Sequence, residues 1–132
     1  MNKSAIIINP ELPLGLLSNS IACITTGLFT EGENLVGNLI QGDNITFIPI
    51  TKIPILILKP GKNSLVDLCK QAQKLNLKYM AFTKEAQSTT NYDEYTQRVV
   101  AKNIDSIKLI GLGVVGEEKI VNSLVGSLPM LR

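Results

Sequence analysis

Histidine is absent from the 132 residues of this chain, and so is tryptophan. Without histidine there is no side chain whose ordinary pKa suits a general base near neutral pH. Ser-His and Cys-His nucleophile pairs are excluded, along with most zinc sites. Any chemistry must run on carboxylates, lysine, hydroxyls, amides or backbone groups, and the residues imply neither a metal nor a cofactor. Cysteine is scarce. Cys23 and Cys69 fall on separate predicted helices among apolar neighbours, the pattern of two reduced core thiols. No apolar run approaches the ~18 residues of a membrane span, and no signal-peptide pattern opens the chain. A cytoplasmic protein with no membrane partner is therefore expected. Charge is sparse as well, with 13 basic against 11 acidic residues and a net charge of +2. The lysines are scattered, whereas a nucleic-acid binder concentrates its basic residues on one face. Nucleic acid is not the expected partner.

What is present is apolar. Hydrophobic residues make up 45% of the chain, enough for one domain over residues 1–132 that buries about two-thirds of its unfolded surface. Residues 5–8 form a β-branched run suited to a strand buried on both faces. The two prolines of Asn9-Pro10-Glu11-Leu12-Pro13 then break regular structure. From Gly15 a helix follows, with Leu17, Ile21, Ile24 and Leu28 as its apolar stripe. Residues 27–42 are glycine-rich and polar, with Leu35, Val36, Leu39 and Ile40 forming a short strand or a loop anchor. Residues 45–50 read as a strand that Pro49 confines to an edge. Residues 53–59, the most apolar run, suit a central strand.

Ser64 opens the next helix, with Asp67 three residues on in a capping-box pattern. Leu65, Leu68, Ala72 and Leu75 are its buried stripe, and Asn76 ends it. Residues 78–83 are a strand and residues 85–91 a polar irregular stretch. A helix starts near Tyr92, burying Tyr92, Tyr95 and Val99. Residues 106–115 and 117–124 are the last strand and helix. Alternating strands and helices give an α/β class: a three-layer α/β/α fold with a mixed sheet of four to five strands.

Open α/β sheets place their crevices at strand carboxyl ends, so the turn after the first strand is the candidate site. Asn9, Glu11, Gly15, Ser18 and Asn19 occupy it, and Thr83 and Gln87 of the later polar stretch would wall the same crevice. Glu11 would act as a base or orienting group and Asn19 as an amide donor. The same residues also fit plain turn, cap and solvated-loop roles. Gly111-Leu-Gly-Val-Val-Gly116 has the G-x-G-x-x-G spacing. No second strand follows it, and Glu117 and Glu118 would repel a phosphate, so a tight strand-to-helix turn is expected there rather than nucleotide binding.

The segment Glu11-Leu12-Pro13-Leu14-Gly15, with Cys23 on its helix, resembles the first motif of type II peptidyl-tRNA hydrolases. Val125-Gly126-Ser127-Leu128 resembles their closing motif. Asn9, Glu11, Leu12, Pro13, Gly15, Leu16 and Asn19 match more closely a bacterial family of unknown function built on that fold, the domain-of-unknown-function family numbered two thousand. The resemblance spans nearly the whole chain and implies a peptidyl-tRNA hydrolase II-like fold. The hydrolases carry a Gly-Lys-Gly-Lys run where this chain has Gly15-Leu16-Leu17-Ser18, and an Asp-Ala-Gly-Arg-Thr motif that residues 83–91 lack. Loss of those cations weakens any grip on an RNA backbone. Three readings follow. A small molecule or peptide end binds in the crevice after the first strand; the chain is a divergent peptidyl-tRNA hydrolase; or it is a homodimeric interaction module.

Overall fold

Four consecutive apolar residues, Ala5, Ile6, Ile7 and Ile8, are wholly inaccessible to solvent. They can be so only if the strand that carries them, β1 (Asn2–Ile8), is covered on both faces. The computed structural model describes residues 1–30, 35–88, 91–100, 102–105 and 107–132, apart from the side chains of residues 87 and 88. In chain order the elements after β1 are α1 (Leu14–Leu28), β2 (Ile40–Gln41), β3 (Thr46–Phe47), β4 (Ile55–Leu58), α2 (Leu65–Lys74), β5 (Lys78–Thr83), α3 (Lys84–Ser88), α4 (Tyr92–Val99), β6 (Leu109–Glu117) and α5 (Glu118–Val125). The main sheet has the order β4-β1-β6-β5. β4 runs parallel to β1, and β6 runs antiparallel to both β1 and β5. α1 covers one face, and α2 and α5 cover the other. Alternation along β1 sorts the core accordingly: Ile6 and Ile8 pack with Ile24 of α1, while Ala5 and Ile7 pack with Leu68, Ala72, Val121 and Leu124.

Helix α2 starts where a cap was expected, with Ser64 Oγ accepting the Asp67 backbone N–H at 3.0 Å. It ends at Asn76, whose φ of 56° turns the chain into β5. Its buried stripe is Leu68, Cys69 and Ala72, with Leu65 half-buried and Leu75 left 38% exposed.

Four expectations are corrected. The apolar run at residues 53–59 forms an edge strand, not a central one. β4 is nonetheless covered on its outer side, because Lys59 N–H donates to Pro129 O at 2.9 Å and Leu131 N–H to Ile57 O at 3.0 Å. Residues 45–50 contribute only β3, which pairs with β2 in a ribbon separate from the main sheet. The polar stretch after β5 is not irregular throughout. It begins as α3, whose first turn is capped by Thr83 Oγ1 accepting the Ala86 N–H at 3.1 Å. Finally, Gly111, Gly113 and Gly116 do not make a turn. They lie inside β6, one of the two inner strands, whose predicted start at Ser106 falls outside the described residues. A Cβ at Gly111 would come within 2.7 Å of Ile24 Cδ1 and 2.8 Å of Ile8 Cδ1, and one at Gly116 within 2.6 Å of Leu77 Cδ2. These glycines are there because α1 and Leu77 press directly on the strand.

Candidate functional site

The carboxyl ends of β1, β4 and β5 meet the start of β6 at one end of the sheet. The predicted site residues around that end separate into two places. Asn9 is half-buried, its Oδ1 accepting the Glu11 N–H at 3.0 Å, and its own N–H donates to Ile110 O at 3.0 Å. It borders a cavity of about 610 Å³ on the α2 side, together with Pro60, Ser64, Leu65, Asp105 and Lys108. Asp105 is held there by Lys70 at 2.8 Å, and that pairing raises the Lys70 pKa. Asn19 lies instead on the α1 face and borders a different, larger groove of about 760 Å³.

Glu11, Gly15 and Ser18 are exposed and border neither space. Thr83 is buried beneath α3 and serves as its cap. The side chain of Gln87 lies outside the described residues. The structure therefore divides the crevice that the sequence suggested: Asn9 goes to one face of the sheet and Asn19 to the other.

The groove is built from three elements. One face of α1 supplies Leu16, Asn19, Cys23 and Thr26, at helical spacings of three, four and three. Met80 and Phe82 of β5 form the floor, on the same side of the strand because they are two residues apart. Ala86 of α3 and Asn91, Tyr92 and Tyr95 of α4 form the far wall. Every lining side chain among the described residues is uncharged.

α4 was expected to bury Tyr92, Tyr95 and Val99, but none of its residues is fully buried, and Tyr92 is 78% exposed. Its first turn is fixed by Asn91 Oδ1, which accepts the Glu94 N–H at 2.7 Å. The two tyrosines meet edge-to-face, with ring centres 5.9 Å apart. Burial, with Tyr92 and Glu85 nearby, pushes the Tyr95 phenol above its ordinary pKa.

Cys23 is exposed in this groove rather than buried, and its thiol donates to Asn19 Oδ1 at 3.7 Å. Cys69 is the core thiol, its pKa raised by burial. Behind the wall, Lys102 Nζ donates to Glu85 Oε1 at 3.1 Å. The Glu85 carboxyl is held below its usual pKa by its own backbone N–H, Lys102 and Thr83, against the opposing effect of burial. Among the described residues no cluster of His, Cys, Asp or Glu is placed to hold a metal, and no helix is long and apolar enough to cross a membrane.

Sequence reasoning missed Met80, Phe82, Tyr92, Tyr95 and Cys23 as lining residues. The i, i+2 pair on β5 and the i, i+3 tyrosines were signals, but each also fits a closed core.

A family model of proteins of unknown function, DUF2000, matches residues 2–132. The chain belongs to the DUF2000 family. The sequence resemblance to that family is thus confirmed over nearly its full length. A solved structure with the same fold is that of Atu0240, a protein of unknown function from Agrobacterium tumefaciens strain C58. It is 16% identical, covers 98% of this chain and 96% of its own, and superposes with a TM-score of 0.86. That likeness shows that this DUF2000 chain and Atu0240 share a fold. No curated protein matches the chain.

Proposed function

We propose that this protein binds an uncharged, largely apolar small molecule in the groove between α1 and α4. The observation that carries this reading is the open, charge-free slot itself. Half-buried Met80 and buried Phe82 form its floor, and Tyr92 stands 78% exposed at its mouth. A volume of about 760 Å³ falls within the ~300–1,000 Å³ of small-molecule sites, which pair apolar walls with a few polar groups. Asn19 and Asn91 are those polar groups. Each uses its side-chain oxygen within the fold, on the Cys23 thiol and the Glu94 N–H, and retains amide N–H donors to orient a ligand. Among the described residues the lining offers no cation to a phosphate, which favours such a ligand over an RNA backbone gripped by Lys and Arg.

A screen of aromatic and aliphatic metabolites by thermal shift tests the reading. A ligand at a hundredfold excess over its Kd stabilises by about 2.7 kcal/mol, a rise of several degrees. True ligands will also slow alkylation of Cys23, and Asn19→Ala or Tyr92→Ala will weaken them at least fivefold. Glu11→Ala, outside the groove, will leave binding unchanged. A screen that yields no compound protecting Cys23 would sink the proposal. So would release of tRNA from peptidyl-tRNA at a rate near that of an active hydrolase.

A further inference from the structure

The amides that border the α1–α4 groove are one-sided. Asn19 Oδ1 accepts the Cys23 thiol at 3.7 Å, and Asn91 Oδ1 accepts the Glu94 N–H at 2.7 Å. With both oxygens engaged inside the fold, what each amide has left to offer is its NH2 group, a pair of donors. The described lining residues include no carboxylate to receive a donor from a ligand. A molecule that satisfies these amides has to bring the acceptors itself.

The apolar part of the groove is equally selective. Tyr92 is 78% exposed, and its ring meets half-buried Tyr95 edge-to-face, with centres 5.9 Å apart and planes at 62°. A contact of that kind occupies at most one face of Tyr92, so at least one face stays open. The ring is also held in place, because Asn91 caps the turn that carries it and Tyr95 packs against it. A held tyrosine supplies a large contact area at little cost in conformational entropy. Another aromatic ring gains more from such a face than saturated carbon of equal area does. On the floor, the Met80 thioether favours the edges of aromatic rings.

We infer that the ligand is a flat aromatic compound bearing a carbonyl acceptor, which stacks on Tyr92 and accepts hydrogen bonds from the Asn19 and Asn91 amides. This rests on the groove being a small-molecule site, as proposed above, and narrows its ligand to one chemical class.

Coumarin, a fused aromatic lactone, and octahydrocoumarin, the same skeleton saturated, test it on the full chain. Of the three methionines, Met80 borders the groove and Met1 and Met130 do not, so NMR of methyl-labelled methionine reads the site directly. Coumarin is expected to shift the Met80 methyl through its ring current, which the saturated lactone lacks, and to bind about fivefold more tightly. Tyr92→Leu, at an exposed position, is expected to remove that preference and leave octahydrocoumarin binding unchanged. Asn19→Asp and Asn91→Asp keep the oxygen that each amide uses within the fold and remove its N–H donors. Each is expected to weaken coumarin about fivefold.

Equal affinity for the two lactones overturns the inference but leaves the groove a binding site. Coumarin affinity that survives Tyr92→Leu, or survives both asparagine substitutions, overturns it too. If neither lactone moves the Met80 methyl at millimolar concentration, the inference falls. Whether the groove binds any small molecule is then decided separately, by whether any metabolite protects Cys23.

Discussion

A methyl group at Gly113 would fall against Cγ2 of the buried Ile24 and within 3.3 Å of Leu28 Cδ2. Neither neighbour can move without lifting α1 from the sheet, because interiors are packed to crystal-like density. Gly113→Ala is expected to destabilise the fold by about 1–3 kcal/mol, the ordinary cost of overpacking, as read from the urea midpoint. Glu85 is a second residue whose environment makes a prediction. Its carboxyl titrates below the ordinary range, so the native state favours the ionised form. The resulting stability is complete at neutral pH, and it is lost as pH falls below the usual carboxylate value and through the lowered native one. Glu85→Gln is therefore expected to be less stable than the wild type at pH 7, and the gap to narrow at pH 3. Urea titrations of both chains at the two pH values check this.

At the scale of elements, α2 is the helix whose ends were written most plainly in the chain. Ser64→Ala removes the acceptor for the Asp67 N–H and is expected to cost about 1 kcal/mol, measurable in the same denaturation assay. β5 was legible too, because alternating residues 78–83 follow the break at Asn76 and precede a polar stretch. Other elements were misread for a common reason: their residues answer to tertiary neighbours. Apolar residues at 55–58 suggested a strand between two others, whereas Pro129 and Leu131 occupy its outer side. The glycines of residues 111–116 suggested a turn, yet their small size answers to Ile24, Ile8 and Leu77, which are distant in sequence. The site divided in the same way. Asn9 and Asn19 are ten residues apart, but the turn between β1 and α1 carries the chain from the end of the sheet onto one face. Only the fold shows that Asn19 faces Phe82 and Tyr92 across a groove.

At the scale of the molecule, the groove and the β2–β3 ribbon occupy different regions. The groove lies over β5 between α1 and α4. The ribbon leaves the body near Leu35 and Ile53, which pack with Leu28 and Val115. Changes to the ribbon are therefore expected to leave ligand binding alone: Phe47→Glu leaves Cys23 protection unchanged.

The strand order carries a consequence for how the chain comes off the ribosome. β6 is the partner shared by β1 and β5, yet it is synthesised after both. A nascent chain that stops short of Leu109 has three of its four sheet strands and nothing to join β5 to the others. Ile6 and Ile8, wholly buried in the finished protein, then spend most of synthesis without their antiparallel neighbour. The four-stranded sheet can therefore close only once β6 has been made, and β5 joins it last through that strand.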